Sequence, residues 1–137
     1  MPEQLDPEVL DFAHRMFDLA REGEHEELAA YVDAGLPVNL TTGKGDTLLI
    51  LAAYHAHPET VRALLDRGAD TSRVNDRGQT ALGAAVFRRN AHAVRALLAA
   101  GADPHAGSPS AVELARFFEL PEMLALVEGA SSADPGS

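Results

Sequence analysis

The sequence predicts an all-α solenoid, a stack of helix–turn–helix units, and two recurring motifs lead to this prediction. The first motif reads VRALLDRGAD over residues 61–70 and returns as VRALLAAGAD over residues 94–103, 33 residues later. The second reads GDTLLILAA over residues 45–53 and returns as GQTALGAAV over residues 78–86, again 33 residues later. A fixed period of this length is typical of stacked repeats and not of one closed globule.

The first unit is predicted to contain two helices and to cover one end of the stack. Asp6 and Pro7 are suited to begin a long amphipathic helix, and a second helix is expected from about Glu24 to Ala34. The first helix carries its apolar residues on one side: Val9, Leu10, Phe12, Ala13, Met16, Phe17, Leu19 and Ala20. Its other side is acidic, as expected for an exposed terminal unit.

Local signals mark both ends of the helices in the middle of the chain. Thr47 and Thr80 stand where a hydroxyl would cap the first helix of each unit, and Pro58 and Pro121 suit the first turn of second helices. Glycine allows the positive φ with which a helix commonly ends. Three such glycines recur at the same spacing: Gly35, Gly68 and Gly101.

The apolar pattern of the middle units predicts one continuous core. Alanines on the first helices would let neighbouring units approach closely, and they stand at Ala52, Ala53, Ala84 and Ala85. The second helices carry an apolar stripe with helical spacing. We expect its leucines, Leu64, Leu65, Leu97 and Leu98, to be buried between helix layers.

The last unit is shorter and completes the stack. Ser110 and Glu113 form a serine-to-glutamate capping box, and the final helix carries the apolar residues Met123, Leu124, Leu126 and Val127. We predict one domain over residues 1–129, with units at about 7–41, 42–74, 75–106 and 107–129. Two of these four units are full repeats and two are capping repeats. The small, polar segment 130–137 is predicted to be a disordered tail.

These two motifs resemble those of the ankyrin repeat. The family pattern opens its first helix with Gly-x-Thr-Pro-Leu-His-x-Ala-Ala and closes its second with Leu-Leu-x-x-Gly-Ala. The matching residues are Thr47, Leu49, Ala52, Ala53, Thr80, Leu82 and Ala85. Leu48 and Ala81 replace the family proline, while Ile50 and Gly83 replace its histidine. The resemblance covers roughly residues 7–129 and implies hairpin loops between the units.

Composition excludes several classes of protein. The 137 residues carry a formal net charge of −10, contain no cysteine and include no apolar run long enough to cross a membrane. We therefore expect neither a membrane span, nor a disulfide, nor nucleic-acid binding, since phosphate would repel this charge. The acidic N-terminus differs from a signal peptide, which predicts a cytoplasmic protein. One lysine against ten arginines, with abundant alanine, suggests a bacterial source.

No group of residues predicts catalysis or a cofactor. His55 and His57 are the only close histidine pair, and without a third ligand we interpret them as turn residues and not as a zinc site. The segment 43–47 superficially resembles a phosphate loop but lacks the full spacing, so we interpret it as a hairpin tip. Acidic residues are spread along a surface instead of paired in a pocket. We predict no metal, no cofactor and no enzymatic activity.

The resemblance implies where a partner would bind. In ankyrin repeat stacks the hairpin tips and the outer ends of the first helices line a concave groove. The corresponding residues here are Lys44, Asp46, Asp76, Arg77 and Gln79 at the tips, and Tyr54, His55, Phe87, Arg88 and Phe117 on the helices. Tyr54, Phe87 and Phe117 share one repeat position and predict an aromatic column. Cationic residues stand beside it: Lys44, Arg73, Arg77, Arg88 and Arg89.

Two interpretations of the aromatic column remain open. The rings either recognise a partner or cover small residues of the adjacent unit and complete the stack, and we favour recognition. The predicted function is a monomeric, non-catalytic adaptor that binds another protein, with apolar anchors and acidic flanks as its target. The alternatives are an inhibitor that covers an enzyme's active site and a structural protein that self-associates through its ends.

Overall fold

The computed structural model describes residues 6–132, which fold into eight α-helices arranged in four consecutive pairs. The helices are α1 (Pro7–Glu22), α2 (His25–Asp33), α3 (Leu48–Tyr54), α4 (Pro58–Asp66), α5 (Ala81–Phe87), α6 (Ala91–Ala99), α7 (Ala111–Phe117) and α8 (Pro121–Ser132). Within these residues the β-structure is limited to two isolated bridges, Thr41 with Thr47 and Gly107 with Ser110. The predicted all-α solenoid is confirmed.

The helices form two layers that run the length of the stack. The first helices of the pairs, α1, α3, α5 and α7, pack side by side in that order. The second helices, α2, α4, α6 and α8, form the other layer in the same order. Each helix also packs against the other member of its pair. Contacts therefore pass from each unit to the next, as expected of a solenoid.

The predicted helix ends are confirmed by their hydrogen bonds and backbone angles. Thr47 Oγ1 accepts the N–H of Ile50 and Thr80 Oγ1 accepts the N–H of Gly83, both at 3.0 Å. Ser110 and Glu113 form both hydrogen bonds of a capping box at the start of α7. The three spaced glycines adopt positive φ values: Gly35 at 117°, Gly68 at 86° and Gly101 at 94°.

The core contains the alanines that were expected between the inner helices. Ala52, Ala53, Ala84 and Ala85 are all buried, as are Leu64 and Leu97. The prediction for Leu65 and Leu98 was too strong, because both are only half-buried at the edge of the core. Adjacent residues on a helix point about 100° apart, so Leu64 and Leu97 face the core while Leu65 and Leu98 point towards its edge.

The apolar side of α1 is only partly covered. Its second half is buried through Met16, Phe17, Leu19 and Ala20, whereas Val9, Leu10 and Phe12 are exposed. Because α1 has 16 residues and the adjacent α3 has seven, the first half of α1 lacks a helix of equal length beside it. Phe12 instead packs edge-on against Tyr31 of α2, with ring centroids 5.3 Å apart.

The last helix passes the boundary that the sequence predicted at residue 129. Residues 130–132 are still helical, and alanine and serine are compatible with continued helix there. Residues 133–137 of the predicted tail lie outside the described residues, and the limits of the repeat units remain a prediction. In the described part of the chain, no helix has both the length and the apolar character required to cross a bilayer.

The two adjacent leucines of α6 offer a test of the layer geometry. Leu97 is fully buried whereas Leu98 is half-buried. We expect Leu97→Ala to lower the free energy of unfolding by about 2–5 kcal/mol and Leu98→Ala to lower it clearly less, because the cavity term depends on burial. Urea denaturation midpoints of the two variants would measure this difference. Equal losses, or a larger loss for Leu98→Ala, would show that the helix is rotated from the position described.

Candidate functional site

A cleft of about 870 Å³ lies between the first helix and the first two hairpin tips. On one side it is lined by residues of α1, including Leu10, Asp18 and Arg21. Ile50, Tyr54 and His55 of the α3 segment line it as well. Six of the ten predicted partner-binding residues line this cleft: Lys44, Asp46, Tyr54, His55, Arg77 and Gln79. Most of the residues that were predicted from their positions in the repeat therefore lie around one cleft.

A smaller apolar pocket of about 180 Å³ adjoins the large cleft. It shares Tyr54 and Gln79 with the cleft and adds Phe87 and Phe118. A third, open depression is lined by Phe87, Phe118, Leu120, Arg88 and Arg89. Asp76 and Phe117, the remaining predicted residues, line none of the three. The candidate site is therefore a groove of three adjoining parts that runs from α1 to α7.

Consecutive hairpins are joined by backbone hydrogen bonds. The N–H of Asp76 donates to the carbonyl oxygen of Lys44, and the N–H of Ser108 donates to that of Gly78, both at 2.9 Å. Gly78 allows this close approach, because a Cβ at this position would lie 2.6 Å from the Ser108 carbonyl oxygen. These contacts hold the hairpin tips in a row and so fix the hairpin side of the groove.

Asn75 organises the second hairpin, a role that was not predicted from the sequence. Its Nδ2 donates to Asp46 Oδ1 at 2.7 Å and to Gln79 Oε1 at 2.9 Å, and its Oδ1 accepts the N–H groups of Arg77 and Gln79 at 2.9 Å. The side chain is only 6% exposed. Asparagine side chains often form turns by accepting a hydrogen bond from the backbone two residues on, as Asn75 does here. This preference was the signal in the sequence from which its role could have been predicted. Asp46 thus joins the two hairpins as well as facing the groove, whereas Gln79 closes the hairpin that contains Asn75.

The aromatic column has a different third member from the one predicted. Tyr54 and Phe87 stack with centroids 6.3 Å apart, and the ring that meets Phe87 next, at 5.7 Å, belongs to Phe118 and not to Phe117. Phe117 contacts Phe118 and is 79% exposed at the end of the stack. Tyr54, Phe87 and Phe117 each end a seven-residue helix, so equal repeat position does not produce equal ring position. The connected rings are therefore Tyr54, Phe87 and Phe118.

The cationic and acidic side chains of the groove differ in their pairing. Lys44, Arg77, Arg88 and Arg89 form no ion pair with any described residue. The acidic residues that line the large cleft are both engaged, Asp18 by Arg21 at 2.9 Å and Asp46 by Asn75. Arg73, the remaining member of the predicted cationic row, pairs with Asp70 at 3.2 Å. Unpaired positive charge is thus left along the groove.

The histidine pair forms a turn, as predicted. Ala56 adopts a positive φ of 63° between α3 and α4, and His57 Nε2 donates to the carbonyl oxygen of Arg21 at 2.7 Å, which ties the second unit to the first. Partial desolvation of the ring, reinforced by nearby positive charges, lowers the pKa of His55, so this imidazole stays neutral at neutral pH. Among residues 6–132, no three metal-ligating side chains lie together.

Comparison with known proteins agrees with the repeat pattern. The model of a protein family described as ankyrin repeats, in three copies, matches residues 16–108. A curated Pseudomonas aeruginosa protein, whose name describes it as an ankyrin repeat protein, is 51% identical over 59 residues. This alignment covers 43% of the chain and 34% of the relative, so the chain spans about a third of the length of the curated relative that it matches.

The hydrogen bonds of Asn75 give a testable prediction about the hairpin row. We expect Asn75→Ala to lower the free energy of unfolding by about 1–3 kcal/mol, because it leaves polar groups of two hairpins unpaired. The matched control is Asn39→Ala, which removes the one hydrogen bond that Asn39 Oδ1 accepts from the N–H of Asp70, at 2.8 Å. Urea midpoints would measure stability, and hydrogen exchange at the Asp76 amide would report on the link between hairpins. Unchanged exchange at Asp76 in Asn75→Ala would contradict the role given to Asn75.

Proposed function

The chain belongs to the ankyrin repeat family, whose repeats generally mediate protein–protein interactions, and on this premise we propose that it is a non-catalytic module that binds another protein through its concave groove. One observation carries the proposal. The groove combines exposed, mutually contacting rings with four cations that have no partner among the described residues. Aromatic and arginine side chains supply most of the binding energy at many protein interfaces.

The rigidity of the groove supports a role in binding. The hairpins are joined by backbone hydrogen bonds and the rings by mutual contact, so little conformational freedom remains to be lost on association. Phe87 is 45% exposed and Phe118 is 42% exposed, although both contact other rings. Inter-repeat packing alone would leave less of these side chains in solvent. These exposures favour the recognition interpretation of the column.

The charges indicate the kind of partner. Unpaired cations attract carboxylates, whereas the rings favour apolar side chains, so the proposed target is a segment with apolar anchors and acidic flanks. The three connected rings span no more than about 12 Å, since their successive centroids lie 6.3 and 5.7 Å apart. About four residues of extended chain cover this distance. A short linear segment or the edge of a folded protein fits these dimensions.

Catalysis is not part of the proposal. The family is generally non-catalytic, and both acidic residues that line the large cleft are held by other side chains. The net charge of −10 opposes binding to nucleic acid. We further propose a cytoplasmic, monomeric, bacterial protein that acts as a regulatory adaptor. An inhibitor that covers an enzyme's active site would use the same groove.

Self-association through the ends is the second candidate function, and one observation favours it. Apolar side chains are exposed at both ends of the stack, with Val9 and Phe12 on α1 and Phe117 on α7. Light scattering over a range of protein concentrations separates the two candidates. A constant monomer mass supports a groove that binds a separate partner, whereas growth that Phe117→Ser abolishes supports assembly.

Substitutions in the groove test the proposed function directly. After a partner has been captured from native lysate, we expect Phe87→Ala to weaken its binding by about tenfold or more, because a central aromatic anchor is lost. Arg88→Glu should slow association and weaken its salt dependence. Isothermal titration and stopped-flow kinetics measure these effects, with each variant first shown to be folded by circular dichroism.

The control for these variants lies outside the groove. The side chain of Glu26 of α2 forms no hydrogen bond or ion pair with residues 6–132, and it lines a different surface, on the outer layer. We expect Glu26→Lys to bind the partner like the unaltered protein. If Glu26→Lys abolished binding while Phe87→Ala and Arg88→Glu did not, the working surface would be the acidic first unit.

A further inference from the structure

Part of the wall of the small apolar pocket is a helix position without a side chain, at which the neighbouring helix has one. At the same repeat position, α3 carries Ile50 and α5 carries Gly83. Gly83 and Ala84 line the pocket together with residues of three units, Tyr54, Phe87, Leu114 and Phe118. The pocket is therefore formed between stacked units and not within one of them.

A side chain at residue 83 would take up space beside this pocket. A Cβ there would lie 3.4 Å from Cδ1 of Leu114, which lines the pocket, and 3.3 Å from Oγ1 of Thr80, which does not. Glycine destabilises a helix interior relative to alanine, and α5 nevertheless carries it at a buried position. Proteins break such local rules most often at functional or strained sites.

The size of the pocket indicates what it accepts. An apolar protein cavity of roughly 150 Å³ binds benzene. The pocket measures about 180 Å³, which suits one phenylalanine or leucine side chain. Because Tyr54, Phe87 and Phe118 line it, an inserted side chain would be surrounded by rings, and such contacts are favourable beyond the area that they bury.

Cations that form no ion pair with the described residues lie on both sides of the pocket. Through Tyr54 the pocket adjoins the large cleft, which Lys44 and Arg77 line. Through Phe87 it adjoins the depression that Arg88 and Arg89 line. A side chain seated in the pocket would therefore have positive charge on either side, which favours carboxylates before and after it in the bound segment.

We propose that this pocket is the anchor subsite of the groove. It binds one phenylalanine or leucine side chain of a partner segment that carries acidic residues on both sides of this anchor. Gly83 determines the size of the anchor that fits. This inference rests on the proposed protein-binding function and adds to it a single position, a side-chain class and a residue that sets specificity.

Short synthetic peptides test the subsite with the full chain. Each capped peptide carries two acidic residues on either side of one central residue, which is phenylalanine, leucine, valine, alanine or tryptophan. Titrations are followed by nuclear magnetic resonance at the amides of Gly83 and Phe87. We expect the phenylalanine and leucine peptides to bind about tenfold or more tightly than the alanine peptide, because burial of the larger side chain is lost in alanine. A peptide with lysines in place of the acidic residues should not shift these amides.

Two substitutions change the pocket in opposite directions. Gly83→Ala should reduce its volume and shift the preference towards valine, whereas Leu114→Ala should enlarge it and shift the preference towards tryptophan. The matched control is Gly129→Ala in α8, a helical glycine whose Cβ would meet no atom within 4 Å. This control should keep the order of peptide affinities unchanged.

The possible outcomes separate the subsite from the function on which it rests. If all central residues bind equally, or if neither Gly83→Ala nor Leu114→Ala changes their order, the anchor subsite does not exist. The subsite also fails if the phenylalanine peptide causes no shift at Gly83. If Phe87→Ala weakens binding of a captured partner but Gly83→Ala does not, the groove binds the partner and the pocket is not its anchor subsite. If neither Phe87→Ala nor Arg88→Glu weakened binding of the captured partner, the groove would not be the binding surface.

Discussion

Close approach between consecutive inner helices is the constraint on which the rest of this structure depends. The buried alanines Ala52, Ala53, Ala84 and Ala85 allow it, because side chains of this size let helix backbones come near one another. The same approach brings consecutive hairpins within hydrogen-bond distance and the rings of Tyr54, Phe87 and Phe118 into contact. A solenoid has no closed core, so both its stability and its binding surface arise from this repeated interface.

The polar groups of the groove divide into those that hold it together and those left for a partner. Asn75 joins Asp46 and Gln79, and Arg21 pairs with Asp18, so these groups already have partners within the protein. Lys44, Arg77, Arg88 and Arg89 form no ion pair with any described residue. The overall charge is −10, yet the groove is locally positive, which allows electrostatic selection of an acidic segment without general attraction to polyanions.

Repeat position predicted much of the candidate site, but not its details. It brought Lys44 and Arg77 to one cleft because residues 33 apart occupy equivalent places in successive units. It failed where units differ. The fourth unit presents Phe118 to Phe87 where the period had indicated Phe117, and residues of three units, Gly83 among them, line a pocket that no single repeat reveals. Asn75 was missed because the link between hairpins depends on its one hydrogen bond to Asp46, which is 29 residues away.

The sequence by itself determined the fold class, the order of the helices and most helix ends. Those features depend on local interactions, such as the caps at Thr47, Thr80 and Ser110 and the positive φ of Gly68, which a few neighbouring residues decide. Only the tertiary structure decided that Leu98 is half-buried, that Phe12 remains exposed and that Phe118 completes the aromatic column. These outcomes depend on the relative length and offset of neighbouring helices, which are properties of the packed units and not of any segment alone.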